Sequence, residues 1–180
     1  MKFHPTTLLG AYMIEPEPFT DNRGRFTRLY CAGELQEIGH YKPIMQINHS
    51  FTRHKGTIRG LHYQYPNPDI KTVRVLRGWI YDVTVDLREG SPTFLQHHVE
   101  FLEASKSQSV YIPEGFAHGF QTLEDNCEVL YFHTEMYNKE NSKVIRYDDP
   151  RIGIEWPIVV TEISEQDYEA EYLTDEFKGV

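Results

Sequence analysis

Residues 56–64, Gly-Thr-Ile-Arg-Gly-Leu-His-Tyr-Gln, and residues 112–120, Ile-Pro-Glu-Gly-Phe-Ala-His-Gly-Phe, decide the fold. In each stretch a histidine, His62 or His118, follows a glycine in a segment suited to strand or turn. Pro113 and Gly115 set a tight turn, so His118 falls at the start of the strand that follows. A lone histidine is more often structural than catalytic. Two at turn–strand junctions of one small domain invite a chemical reading.

The surrounding segments are short, β-branched and aromatic. Thr72–Leu76, Trp79–Asp86, Gln108–Ile112 and Cys127–Phe132 each read as a strand. In Trp79–Asp86 the two-residue period puts Ile80, Asp82, Thr84 and Asp86 on one face and Trp79, Tyr81, Val83 and Val85 on the other. Turn signals separate them at Asp21–Gly24, Arg77-Gly78, Glu89–Pro92, Pro113–Gly115 and Glu124–Asn126. Many short strands at even spacing predict an all-β sandwich or barrel. Helix is expected only over Cys31–Ile38, stopped near Gly39, and after an N-capping Ser164. Leu8–Ile14 reads as an N-terminal strand with an open edge.

At 180 residues the chain is one domain, 1–180, with no linker or repeat. Its net charge of −9 argues against nucleic acid, because a phosphate backbone demands a basic face. No apolar run is long enough to span a membrane. The N-terminus lacks the h-region of an export signal, which predicts a cytoplasmic protein. Cys31 and Cys127 are too few for a disulfide scaffold and lack metal spacing. Against the acidic background, residues 22–28, Asn-Arg-Gly-Arg-Phe-Thr-Arg, carry three arginines and no carboxylate. Such a loop suits phosphate oxygens.

The two opening stretches resemble the paired cupin motifs. Gly56, His62, Gln64 and Asp69 follow the spacing of the first, and Pro113, Gly115 and His118 that of the second. A metal-binding cupin carries His-x-His and then Glu. Here Gln64 and Asp69 stand at those places, so no bound metal is expected. The resemblance tightens over Asp21-x-Arg23-Gly24-x-Phe26, Gln46-x-Asn48-x-Ser50, Arg59–Gln64, Lys71, Val83-x-Val85–Arg88, Gly90–Phe94, Ile112–Phe120, Tyr131, Tyr137 and Asp149–Pro157. In this order the set resembles the dTDP-4-dehydrorhamnose 3,5-epimerase family.

The resemblance implies a cupin jelly-roll barrel, a double-stranded β-helix with short flanking helices. It implies an epimerase that inverts C3 and/or C5 of a nucleotide-diphosphate 4-keto-6-deoxyhexose without a cofactor. It assigns His62 as the base, Asp167 as the carboxylate that orients it, Tyr131 as the proton donor on the far face, and Lys71 as the cation beside the keto oxygen. Arg23, Phe26, Arg28, Gln46, Asn48, Arg59, His118 and Tyr137 fall at substrate-binding positions. Arg28 departs from the glutamate usual there, which leaves the nucleotide base open. Homodimers are typical of the family, and two Trp, 12 Tyr and 10 Phe are more than one small barrel needs inside. The N-terminal arginine segment is then placed to enter a partner's site. The alternatives are a single-carbon epimerase on another nucleotide sugar, a metal-dependent cupin enzyme and a non-catalytic sugar-binding cupin. A rhamnose-type product points to cell-surface polysaccharide such as O-antigen, or to secondary metabolism.

Overall fold

Alternation along the strands sorts the chain into two antiparallel sheets that share one interior. The computed structural model describes residues 1–180. Its strands are β1 (Lys2–Pro5), β2 (Tyr12–Glu15), β3 (Phe19–Asp21), β4 (Gly24–Phe26), β5 (Gln46–Thr52), β6 (Ile58–Gln64), β7 (Lys71–Arg77), β8 (Trp79–Asp86), β9 (His97–Glu103), β10 (Ser109–Ile112), β11 (Phe116–Thr122), β12 (Cys127–His133) and β13 (Ser142–Val144). Two short helices, α1 (Ala32–Leu35) and α2 (Glu165–Tyr168), flank them. One sheet has the order β1-β2-β10-β7-β12-β5 and the other β13-β6-β11-β8-β9. This is the expected jelly roll.

The interior is apolar at one end and polar at the other. Val73, Val75, Val110 and Val129 of the six-stranded sheet meet Ile80, Leu102, Phe116 and Phe120 of the five-stranded one. Beyond this core the same inward faces carry Lys71, Tyr131, His62 and His118 instead, and the sheets part into a cleft. The five-stranded sheet is buried on its outer face as well. There Tyr81, Val83 and Val85 are covered by the C-terminal segment through Ile154, Trp156, Leu173 and Phe177. That segment is pinned by Trp156 Nε1 donating to Tyr147 O (2.9 Å) and by the Val180 amide donating to Leu87 O (2.8 Å).

Where β6 crosses β11, glycine is required. Gly60 has φ +98°, and a Cβ there would meet His118 O at 2.6 Å; a Cβ on Gly119 would meet Arg59 O at 2.7 Å. The close approach sets His118 directly opposite His62.

One expected strand needs correction. Leu8–Ile14 is not one strand. The chain turns between β1 and β2, where Gly10 adopts φ +89°, Thr6 N donates to Ala11 O (3.0 Å) and Leu8 buries in the core. The apolar run therefore records a buried turn as well as a strand, and the open edges of this sheet are β1 and β5. The short helix expected over Cys31–Ile38 is present, as an α turn at Ala32–Leu35 that tightens to 3₁₀ over Gln36–Ile38 and stops at Gly39, φ +80°. Ser164 caps α2 as expected, accepting from the Asp167 amide at 3.1 Å.

Candidate active site

A cleft of about 970 Å³ opens between the two sheets. From the five-stranded sheet, β6 contributes His62 and Arg59, and β11 contributes His118. From the other sheet, β12 contributes Tyr131 and His133, β7 Lys71, and β5 Gln46 and Asn48. Tyr137 and Asp167 complete the wall.

His62 Nε2 lies 2.7 Å from Asp167 Oδ1. The other carboxylate oxygen accepts from the Gly60 amide at 3.1 Å. Asp167 is not a solvated tail acid. The cap at Ser164 turns α2 so that this carboxylate is buried beneath the imidazole. Burial alone would raise its pKa, but His62, the Gly60 amide and Ser164 outweigh it and hold the carboxyl below its ordinary value. The carboxylate is thus ionised at neutral pH and takes the Nε2–H. Nδ1 keeps its lone pair and has no protein partner, which is the form a general base needs.

Tyr131 faces this dyad from the opposite sheet. Its hydroxyl pairs with Ser50 Oγ at 3.3 Å. Burial pushes its phenol far above the ordinary tyrosine value, with the nearby Asp82 in support and Ser50 and Arg59 opposing. The phenol is therefore protonated at neutral pH and has a proton to give. Lys71 is not a surface lysine: it is buried, and Nζ lies 2.7 Å from Asp69 Oδ1. His118 is fixed by Asp82, Nε2 to Oδ2, at 2.7 Å. Arg59 is held by Thr52 Oγ1 (2.9 Å) and Phe51 O (3.3 Å).

Arg23, Phe26 and Arg28 do not reach this cleft. Arg23 sits at the turn between β3 and β4, where its amide and guanidinium fold back onto Asp21 (2.8 and 2.5 Å). Phe26 is 76% exposed. Arg28 donates to Glu34 Oε1 at 2.6 Å, and Glu34 also receives the N-terminal ammonium. Local ion pairs thus hold the segment away from its own site.

Three acidic or basic partners escaped the sequence reading: Asp82, Asp69 as the partner of Lys71, and His133. The two-residue spacing of Asp69–Lys71 and Tyr131–His133 on extended backbone was the available signal, since such residues share a face. Nothing local points to Asp82, which meets His118 only across the β8–β11 ladder. The cleft histidines reach carboxylates one to one, and no group of three His, Cys, Asp or Glu is arranged to hold a metal ion.

Comparison with known proteins follows this geometry. A profile described as dTDP-4-dehydrorhamnose 3,5-epimerase matches residues 5–175. The enzyme of that name from Methanothermobacter thermautotrophicus is 44% identical over 169 residues, covering 92% of this chain and 91% of the relative. The crystal structure of the Bacillus anthracis epimerase, with TDP and PPi bound, superposes with a TM-score of 0.92 at 37% identity, covering 96% of this chain and 99% of the other. The Legionella pneumophila enzyme in complex with dTDP-4-keto-L-rhamnose gives 0.90 at 36% identity, with 95% and 92% covered. With the profile spanning nearly the whole sequence and the same barrel in its relatives, this chain belongs to the dTDP-4-dehydrorhamnose 3,5-epimerase family.

Proposed function

We propose that the protein converts dTDP-4-dehydro-6-deoxyglucose to dTDP-4-dehydrorhamnose, inverting C3 and C5. The observation that carries this reading is the opposition of His62, on one sheet, to Tyr131, on the other, across one cleft. The C4 ketone acidifies the neighbouring C–H bonds. Nδ1 of His62 takes the proton from one face, and the C–H electrons pass through the new C=C bond to the C4 oxygen. The Lys71 ammonium stabilises that enolate. Tyr131 then delivers its proton to the other face of the same carbon, the carbonyl re-forms, and the configuration is inverted. His62 has gained one proton and Tyr131 has lost one; exchange with solvent resets both before the second carbon reacts. Arg59, Gln46, Asn48, His118 and Tyr137 line the same cleft and suit the nucleotide diphosphate, with Arg59 as its cation and Tyr137 as a stacking surface. Proton NMR of the substrate in D2O tests the reading. Inverted product with deuterium at C3 and C5 is expected. Deuterium at one carbon only would make it a single-carbon epimerase, and none at either would refute epimerisation. Cytoplasmic supply of a rhamnosyl donor for surface polysaccharide goes with this assignment.

We further propose a homodimer formed on the outer face of the six-stranded sheet near β5. That edge strand is paired on one side only, and Ile47 (57% exposed), Phe51 and Leu76 leave an apolar face in water. The β3–β4 hairpin, with Phe19 and Phe26 both exposed, carries Arg23, Phe26 and Arg28 to the partner's cleft. An interface of this kind buries more than roughly 2,000 Å². Sedimentation equilibrium at micromolar concentration should show twice the 21.2 kDa chain mass. A single species at the monomer mass would refute both the dimer and the shared site.

A further inference from the structure

The proton path above uses Lys71 and the Tyr131 hydroxyl and leaves two neighbours without a task, the buried Asp69 and the partly exposed His133. Asp69 directs one carboxylate oxygen to Lys71 Nζ (2.7 Å) and the other to His133 Nδ1 (2.8 Å). The His133 ring lies nearly flat against Tyr131, with centroids 6.0 Å apart and planes at 20°. Strand geometry produces the stack. Tyr131 and His133 are two residues apart on β12 and project to the same side, and the ladder sets His133 opposite Lys71. On its other side Tyr131 meets the His118 ring edge-on, at 6.3 Å and 74°. Its one hydrogen bond, to Ser50 at 3.3 Å, is long for an O–H···O contact. The phenol is thus bounded by a ring on each side, while its hydroxyl has a single long bond.

We propose that Asp69 and His133 are positioning residues for the proton-returning half of the reaction: Asp69 clamps His133, and the clamped imidazole holds the Tyr131 ring in line with the reacting carbon. This rests on the reaction proposed above. Burial would raise the Asp69 pKa, but Lys71 and His133 together drive it well below the ordinary carboxylate range. The carboxylate is thus available to accept from both groups at once. That bond fixes the His133 tautomer, with the proton on Nδ1, and stops the ring from turning off Tyr131. An acid that swings by an ångström loses alignment with the carbon it must protonate, and such misplacement can cost about 10²-fold.

The test uses the full-length protein and the dTDP-4-keto-6-deoxy sugar in D2O. In His133→Ala, inversion should fall about tenfold while wash-in from the His62 face and KM stay within about twofold of wild type. In His133→Phe, which keeps a flat ring but loses the bond to Asp69, only part of the inversion rate should return; full recovery would show that Asp69 clamps nothing. A merely structural role would move both rates together. Unchanged inversion in His133→Ala, or parallel loss of wash-in and inversion in both variants, overturns the proposal. A second measurement does not depend on turnover. With ¹³C-ring-labelled tyrosine, and the Tyr131 signal assigned through Tyr131→Phe, ring flipping should accelerate most in His133→Ala and less in His133→Phe, which keeps the ring but not its bond to Asp69. A wild-type protein that exchanges no deuterium would refute the reaction reading. The flip rate then decides the clamp, and an unchanged rate in His133→Ala overturns it.

Discussion

His62→Ala is expected to abolish deuterium wash-in at both carbons beside the ketone while the nucleotide sugar still binds. The imidazole presents a free acceptor nitrogen backed by a buried, ionised carboxylate, on the sheet that faces Tyr131. General-base catalysis contributes about 10²–10⁴-fold, and exchange should fall within that range. Binding should persist, because Arg59, Gln46 and Tyr137 lie on other parts of the wall. Asp167→Asn gives a graded control. The amide can no longer enforce the proton on Nε2, so exchange should drop by less than in His62→Ala, with KM unchanged. Both experiments read deuterium by NMR under single-turnover conditions. Retention of more than about a tenth of wild-type exchange in His62→Ala would show that another group is the base.

The second large effect is expected in Tyr131→Phe, and it differs in kind. The ring stays between His133 and His118, so packing is kept and only the proton donor is lost. Burial holds the wild-type phenol protonated well beyond neutral pH, so the donor is present throughout the working range until the substitution removes it. Inverted product should fall by about 10²–10⁴-fold. Wash-in from the His62 side should continue, because His62 can return a deuteron to the face from which it removed the proton. Retained configuration with incorporated deuterium would be the signature of a base acting without its partner acid. Equal loss of both rates would mean that Tyr131 serves binding or the enolate instead. The contrast with His133→Ala is one of degree: there the donor survives and only its aim is loosened.

The strands could be read from local pattern because their causes are local. Trp79–Asp86 alternates inward and outward residues through its whole length, and it is observed over those residues. Ser164 could be recognised as a cap because its oxygen bonds an amide three residues away. Leu8–Ile14 misled because apolarity reports burial and not backbone direction; Leu8 and Ala11 are buried in a turn. Arg23, Phe26 and Arg28 were read as site residues from their chemistry and family positions. Where the hairpin and the residues after it lie is marked by long-range contacts such as Arg25 to Ser105 O and Arg28 to Glu34, which the loop composition does not reveal.

By itself, the sequence determined an all-β sandwich or barrel of short strands, which follows from two-residue periodicity and turn chemistry. The jelly-roll barrel and the roles of His62, Tyr131 and Lys71 came from the resemblance carried by the order of motifs along the chain. The family resemblance had already paired Asp167 with His62; only the tertiary structure decided that Asp82 serves His118 and Asp69 serves His133. Asp167 lies 105 positions from His62, Asp82 lies 36 from His118, and Asp69 lies 64 from His133. Each pair is made by sheet register, by the close crossing at Gly60 and Gly119, or by a capped turn docking onto β6. Such pairings depend on the relative placement of strands that are remote in sequence. That placement is set by packing of the shared core, so no local pattern carries it.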